Sequence, residues 1–118
     1  MKKKSSSYLP HRGDICYLDL QPQKGKEQAK RRPVLVISDG RFNKAIGLAL
    51  VCPITSTPPR HGFHLKLPKN LITCGSIMTE QVKSLDFSAR NAAFIEKASD
   101  SILVRASEIV RKIIAVED

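Results

Sequence analysis

The chain has 118 residues, 42% of them hydrophobic and 26% charged, which suits a single domain with one modest core. The net charge of +9 is uneven, with nine Lys and Arg against three acids in residues 1–32 and eleven against eight in the rest. No apolar stretch approaches the roughly 18 residues of a membrane span, and the basic start MKKKSSSYLPHRGD lacks the apolar core of a signal peptide.

A basic field of this kind attracts polyanions, nucleic acid being the commonest, although solubility alone is the plainer account. Residues 1–8 read as a basic flexible tail and 9–118 as one domain. Aromatic residues are 5% with no Trp, so aliphatic side chains must build the core. Cys16, Cys52 and Cys74 are odd in number and form no CxxC pair, which predicts buried, reduced thiols in a cytoplasmic protein.

The first strand is expected over residues 15–20, with Cys16, Leu18 and Leu20 on one face. A long polar loop, 21–32, leads to continuous aliphatic runs at 34–37 and 48–54, the pattern of strands covered on both sides. Between those runs, 39–47 contains two glycines and Asn43 and reads as a loop. Pro53 has no N–H for a ladder, so the third strand is expected to end there or lie at an edge. After a loop at 56–62, residues 63–67 alternate, which puts Phe63 in the core with Leu65 and Leu67. Further strands are expected at 76–82 and 92–96, with one short helical turn within 85–91.

The C-terminus changes period. Ile102, Leu103, Ala106, Ile109, Val110, Ile113 and Ile114 form one apolar helix face, with Ser99 or Asp100 as its cap and Arg111 and Lys112 at its negative end. The economical assembly is a β-rich α+β protein, a small antiparallel barrel of five or six strands with one C-terminal helix.

Chemistry is sparse. His61 and His64 lack a nearby third ligand in sequence, and their spacing at a loop-to-strand junction does not put them on one face, so no metal is expected. No phosphate-loop motif is present, and no cofactor is implied. What remains is the stretch GKEQAKRRPVLVIS, which carries Glu27, Gln28 and Arg32 to the mouth of a core strand, together with PITS and TEQVKSLD at two other strand ends. If the second and third strands are antiparallel neighbours, Arg32 and Thr55 share a rim. A fixed guanidinium, a hydroxyl and a carboxylate at a basic rim suit a phosphodiester. A purely structural Arg32–Glu27 ion pair explains the same spacing equally well.

In order, GDICYLDLQPQKGKEQAKRRPVLVIS, VCPITS and EQVKSLD resemble the MazF/PemK family of toxin endoribonucleases, from Gly13 to about residue 90. The resemblance implies an SH3-like antiparallel barrel with a C-terminal helix (MazF/Kid/CcdB-like) and a homodimer. It also implies an acidic cognate antitoxin and metal-independent cleavage of single-stranded RNA at short sequences. In that chemistry the 2′-hydroxyl attacks the phosphate, leaving 2′,3′-cyclic phosphate and 5′-hydroxyl ends. The family's arginine falls on Arg32 and its threonine on Thr55. Glu27 and Gln28 take loop positions near the site, and Glu80 falls where other members have Asp or Glu. Two departures stand out: Lys26 replaces a histidine of some relatives, and Met78 an arginine.

With a pKa above about 12, Arg32 suits charge neutralisation or proton donation to the leaving oxygen better than general-base work. Thr55 can donate to a non-bridging oxygen, and Glu27 is the nearest acceptor for the 2′-hydroxyl proton. Lys24, Lys26, Lys30 and Arg31 are expected to hold phosphates. Gln28, Ser56, Arg60, Glu80, Gln81, Lys83 and Ser84 are expected to touch RNA, with Phe42 as a stacker. Two rival readings remain, a non-nuclease barrel toxin that binds a protein such as gyrase, and a barrel that binds RNA without cutting it.

Overall fold

The computed structural model describes residues 8–20, 30–115 and 117. Glu27, Gln28, Lys24 and Lys26, and residues 1–7 of the expected tail, lie outside the described residues. In chain order the elements are β1 (Asp14–Asp19), β2 (Arg31–Val36), α1 (Gly40–Ile46), β3 (Ala49–Thr55), β4 (His64–Lys66), β5 (Ser76–Met78), β6 (Lys83–Leu85), β7 (Ala93–Lys97) and α2 (Asp100–Ile113). A 3-10 turn, Thr79–Gln81, separates β5 from β6.

All the strand pairings are antiparallel, in the order β4-β5-β3-β2-β1-β7, with β6 also on β3. The fold is therefore the expected β-rich α+β class. Barrel closure is not found, because no pairing joins β4 to β7 among the described residues. The continuous aliphatic runs divide by alternation between two cores. Ile15, Leu35 and Cys52 face one cluster with Ile77, Ile102 and Ala106, and α2 covers it. Cys16, Leu18, Val34, Val36 and Val51 face the other with Leu85 and Phe87, and Leu20 packs against it as expected.

Four expectations about the strands and loops need correction. Residues 40–46 are helical rather than a loop, because Asp39 accepts the Arg41 N–H as N-cap and Gly47 closes the helix at φ 82°. Asn43 is fully buried there and donates to the Pro10 carbonyl at 2.8 Å, tying α1 to the N-terminal segment. Pro53 lies inside β3, a central strand, not at an end or edge. One flank of β3 passes from β6 at Val51 to β5 at Ile54, so Pro53 falls at the step between partners, where a missing donor is tolerated. Residues 76–82 are not one strand, since the buried Thr79 hydroxyl donates to the Phe63 carbonyl and pins the 3-10 turn. Phe63 is 48% exposed rather than core, because β4 starts only at His64.

Helix α2 matches its pattern at the start, where the Ser99 hydroxyl accepts the Ile102 N–H and Ile102, Leu103 and Ala106 are buried. Its last turn emerges into solvent, leaving Ile114 at 73% exposure. Cys16 and Cys52 are buried, and burial pushes both thiols up to about 12. Cys74, expected to be buried, is exposed.

Candidate nucleic-acid interface

Registers decide which side chains meet. On β2 and β3, Val34 faces Pro53 and Val36 faces Val51. Continued two residues outward, the same register sets Arg32 level with Thr55, the neighbourhood expected from sequence. On the other flank Thr55 pairs with Ser76 of β5. The Thr55 hydroxyl accepts the Thr57 N–H at 3.4 Å and lies 3.2 Å from the Thr57 hydroxyl, while Ser76 donates to the Thr57 carbonyl at 2.9 Å.

Two hollows open at this end of β3. The first, about 310 Å³, is lined by Lys30, Arg31, Arg32, Ser56 and Cys74 and contains no acid among the described residues. The Arg32 side chain makes no ion pair or hydrogen bond with any described residue. Arg31, by contrast, is committed to Asp19 at 3.1 Å and lies over the Tyr17 ring, its guanidinium carbon 5.5 Å from the centroid. The Asn91 amide and then Arg31 hold the Asp19 carboxyl below its ordinary range. The second hollow, about 320 Å³, is lined by Thr55, Arg60, His61, His64, Glu80 and Gln81. Arg32 and Thr55 thus line two different hollows. A larger hollow, about 470 Å³, lies between β4 and the start of α2 and carries Lys66, Lys69 and Arg105.

Lys83 and Ser84 sit elsewhere. Lys83 pairs with Val51, four residues or about 13 Å along β3 from Thr55. Phe42 is exposed on α1.

Sequence reasoning set the two histidines aside for want of a third ligand and a shared face. The structure overturns that premise: His61, His64 and Glu80 bring ligand atoms within 4.8 Å of one another. Nε2 of His64 lies 3.1 Å, and Nε2 of His61 3.6 Å, from Oε2 of Glu80. The rings themselves are 4.0 Å apart between centroids. The available signal was the strand pairing of His64 with Met78, which delivers the next turn, and Glu80 with it, to the histidines.

An antiparallel sheet with Lys30, Arg31 and Arg32 around one hollow and Thr55 at the end of its central strand defines a small β-sheet protein with a basic rim. Comparison with known proteins makes the class specific. A profile of the PemK-like, MazF-like toxins of type II toxin–antitoxin systems matches residues 11–114, and the chain belongs to that family. It is 36% identical over 87 residues to the endoribonuclease toxin MazF of Escherichia coli K12, covering 74% of this chain and 78% of that protein. It is 31% identical over 96 residues to the Escherichia coli endoribonuclease PemK, covering 78% and 72%. Among solved structures, a MazE–MazF crystal form from Deinococcus radiodurans superposes with a TM-score of 0.87 at 31% identity, covering 94% of this chain and all of that one. No helix among the described residues is long and apolar enough to cross a membrane.

Proposed function

We propose that this protein is a sequence-specific endoribonuclease toxin that cuts single-stranded RNA without a metal ion. The observation that supports the reading is the antiparallel β2–β3 pairing of Val34 with Pro53, which, continued two residues, carries Arg32 toward Thr55 in a chain of this family. The 2′-oxygen attacks the adjacent phosphorus while its proton passes to Glu27. The bond from phosphorus to the 5′-oxygen then breaks, and that oxygen takes a proton, leaving a 2′,3′-cyclic phosphate and a 5′-hydroxyl. Arg32 neutralises the charge that grows on the phosphorane or protonates the leaving oxygen. Thr55 donates to a non-bridging oxygen from a strand end already fixed by Ser76 and Thr57.

Lys30 and Ser56, which line the Arg32 hollow, supply phosphate contacts together with Lys24 and Lys26, and Arg31, held by Asp19, adds its charge to the same hollow. Arg60, Glu80 and Gln81 line the Thr55 hollow, where an unpaired base is read, with Gln28 assisting from the preceding loop. Lys83, further down β3, contacts RNA beyond the cut site. The active form is a cytoplasmic homodimer, and the regulator is an acidic antitoxin that covers the same basic rim. Relatives support that partner, since MazE–MazF complexes are among the similar structures.

The test is incubation of purified protein with a long single-stranded RNA in excess EDTA, beside Arg32→Ala, with mapping of the new ends. Cuts at one short motif with cyclic-phosphate ends, reduced at least ~100-fold in the variant, are expected. Intact RNA with toxicity retained on expression would favour a protein target instead.

A further inference from the structure

His61, His64 and Glu80 have no part in the phosphate chemistry above, yet they form the densest cluster of functional groups in the Thr55 hollow. Their hydrogen bonds fix the identity of every ring nitrogen. The Arg60 backbone N–H donates to Nδ1 of His64, and the Phe63 N–H donates to Nδ1 of His61, each at 3.2 Å. A nitrogen that accepts a hydrogen bond carries no proton, so each neutral ring bears its proton on Nε2. The His64 Nε2–H therefore donates to Oε2 of Glu80 at 3.1 Å, while Nε2 of His61 lies 3.6 Å from the same oxygen, outside hydrogen-bond distance.

This polarity argues against a cation. A histidine that binds metal through Nε2 donates its Nδ1–H to an acceptor, whereas here both Nδ1 atoms face donors. It argues instead for a carboxylate held in place. The His64 side chain is only 5% exposed, and the ring is braced on one side by the Arg60 backbone and on the other by the His61 ring. Oε1 of Glu80 has no hydrogen-bond partner among the described residues, and the side chain remains 31% exposed in the hollow that Thr55 lines. A carboxylate only accepts hydrogen bonds, so this one selects a donor.

Unpaired bases differ in what their edges donate. Guanine presents a ring N–H and an amino N–H side by side, matching the free Oε1 and the second lone pair of Oε2, whose first accepts from His64. Adenine and cytosine pair one amino donor with a neighbouring ring acceptor. Uracil has a single N–H between two carbonyls, which a carboxylate repels.

We propose that His61, His64 and Glu80 form a base-reading subsite specific for the donor edge of an unpaired guanine, with Glu80 as the reader and the two histidines as positioning residues. The proposal rests on the nuclease reading above and specifies its substrate. The nucleotide at the subsite neighbours the phosphate held by Arg32 and Thr55.

The test is cleavage of an RNA pool randomised around the cut site by the wild type, Glu80→Gln, His64→Phe, His64→Gln and the double variant, each checked for folding by circular dichroism. The wild type is expected to require guanine at one position near the cut, by about tenfold or more over uracil. Glu80→Gln collapses that preference while the other positions keep theirs. His64→Phe lowers the preference in the wild-type background and adds nothing in the Glu80→Gln background, and His64→Gln, which restores an N–H near Nε2, recovers part of it. If His64→Phe fails to fold, Glu80→Gln and His64→Gln decide.

Equal loss of cleavage at every sequence in Glu80→Gln would overturn the proposal, placing the carboxylate on the reacting atoms. So would additive effects of His64→Phe and Glu80→Gln. Stoichiometric Zn²⁺ binding that His64→Gln abolishes would make the cluster a cation site instead. If the wild type cuts no RNA, the nuclease reading alone fails. The subsite is then judged on binding of four 2′-O-methyl RNAs that differ at one base, and equal affinities would refute it.

Discussion

Gly75→Ala is the most informative single change, because it couples stability to the position of Thr55. Gly75 lies at φ +116°, a conformation L side chains rarely adopt. A Cβ built there would stand 1.8 Å from the Thr55 carbonyl oxygen and 2.9 Å from the Ser56 Cα, both backbone atoms that cannot swing aside. Reaching the 3.4 Å of ordinary contact requires the strands to part by about 1.6 Å. The backbone conformation costs roughly 1–2 kcal/mol and the overpacking a further 1–3 kcal/mol. The expected loss is therefore about 2–5 kcal/mol, a large share of the roughly 5–15 kcal/mol available to a domain. The same shift moves the Thr55 hydroxyl by more than 1 Å, which is expected to lower cleavage about 100-fold in the molecules that remain folded. Urea unfolding measures the first quantity, and single-turnover cleavage normalised to the folded fraction measures the second. Wild-type stability would refute the close approach. A destabilised variant with undiminished cleavage per folded molecule would refute the role given to Thr55.

Asp14 is buried, and although burial raises its carboxyl, bonds from Lys97, Tyr8 and the His11 N–H outweigh that and hold it below its ordinary value. A depressed value gives stability that is fully present above the unfolded value near ~3.9 and lost as pH falls through the folded value, so Asp14→Asn is expected to cost about 2 kcal/mol at pH 7. In urea titrations its gap to the wild type should narrow below about pH 4. For the thiols, a native labelling reagent is expected to react quickly with Cys74 alone and with all three after unfolding, because Cys16 and Cys52 are buried with thiols pushed up to about 12. Since Cys74 lines the Arg32 hollow, single-stranded RNA should slow its labelling, and unchanged labelling would place the RNA elsewhere.

The sequence was most legible where one period ran without interruption. The aliphatic runs became β2 and β3 because they face a core on both sides, and the apolar face of α2 follows from a Ser99 cap and a steady repeat. It was least legible where a residue's usual meaning was reversed by its neighbours. Gly40 and Gly47 look like loop residues. Yet Gly47 terminates α1, and Gly40 is small because a Cβ there would meet the His11 ring at 2.5 Å. Pro53 looks like a strand end because the step from β6 to β5 cannot be read from local pattern. The site divides the same way. The antiparallel neighbourhood of β2 and β3 followed from two aliphatic strands in succession, whereas the Glu80 cluster needed the pairing of β4 with β5 and a 3-10 turn.

The same topology supports the role proposed for the ordinary hydroxyl of Thr55. Of all the strands, β3 has the most partners: β2 on one flank, then β6 and β5 in succession on the other. Its last residue is consequently fixed by Ser76 across the ladder, by Gly75 beneath its carbonyl and by Thr57 at its hydroxyl. A donor held by three neighbours pays little reorganisation when charge appears on a phosphate oxygen, which is the condition for electrostatic catalysis. Arg32 enters near the start of a different strand, so in the proposed mechanism the positive charge and the hydroxyl reach the phosphate from separate elements of one sheet. The groups proposed to read bases, Arg60 and Glu80 among them, lie on a loop and a 3-10 turn outside the strands. Cleavage chemistry can therefore stay constant while the sequence that is cut diverges.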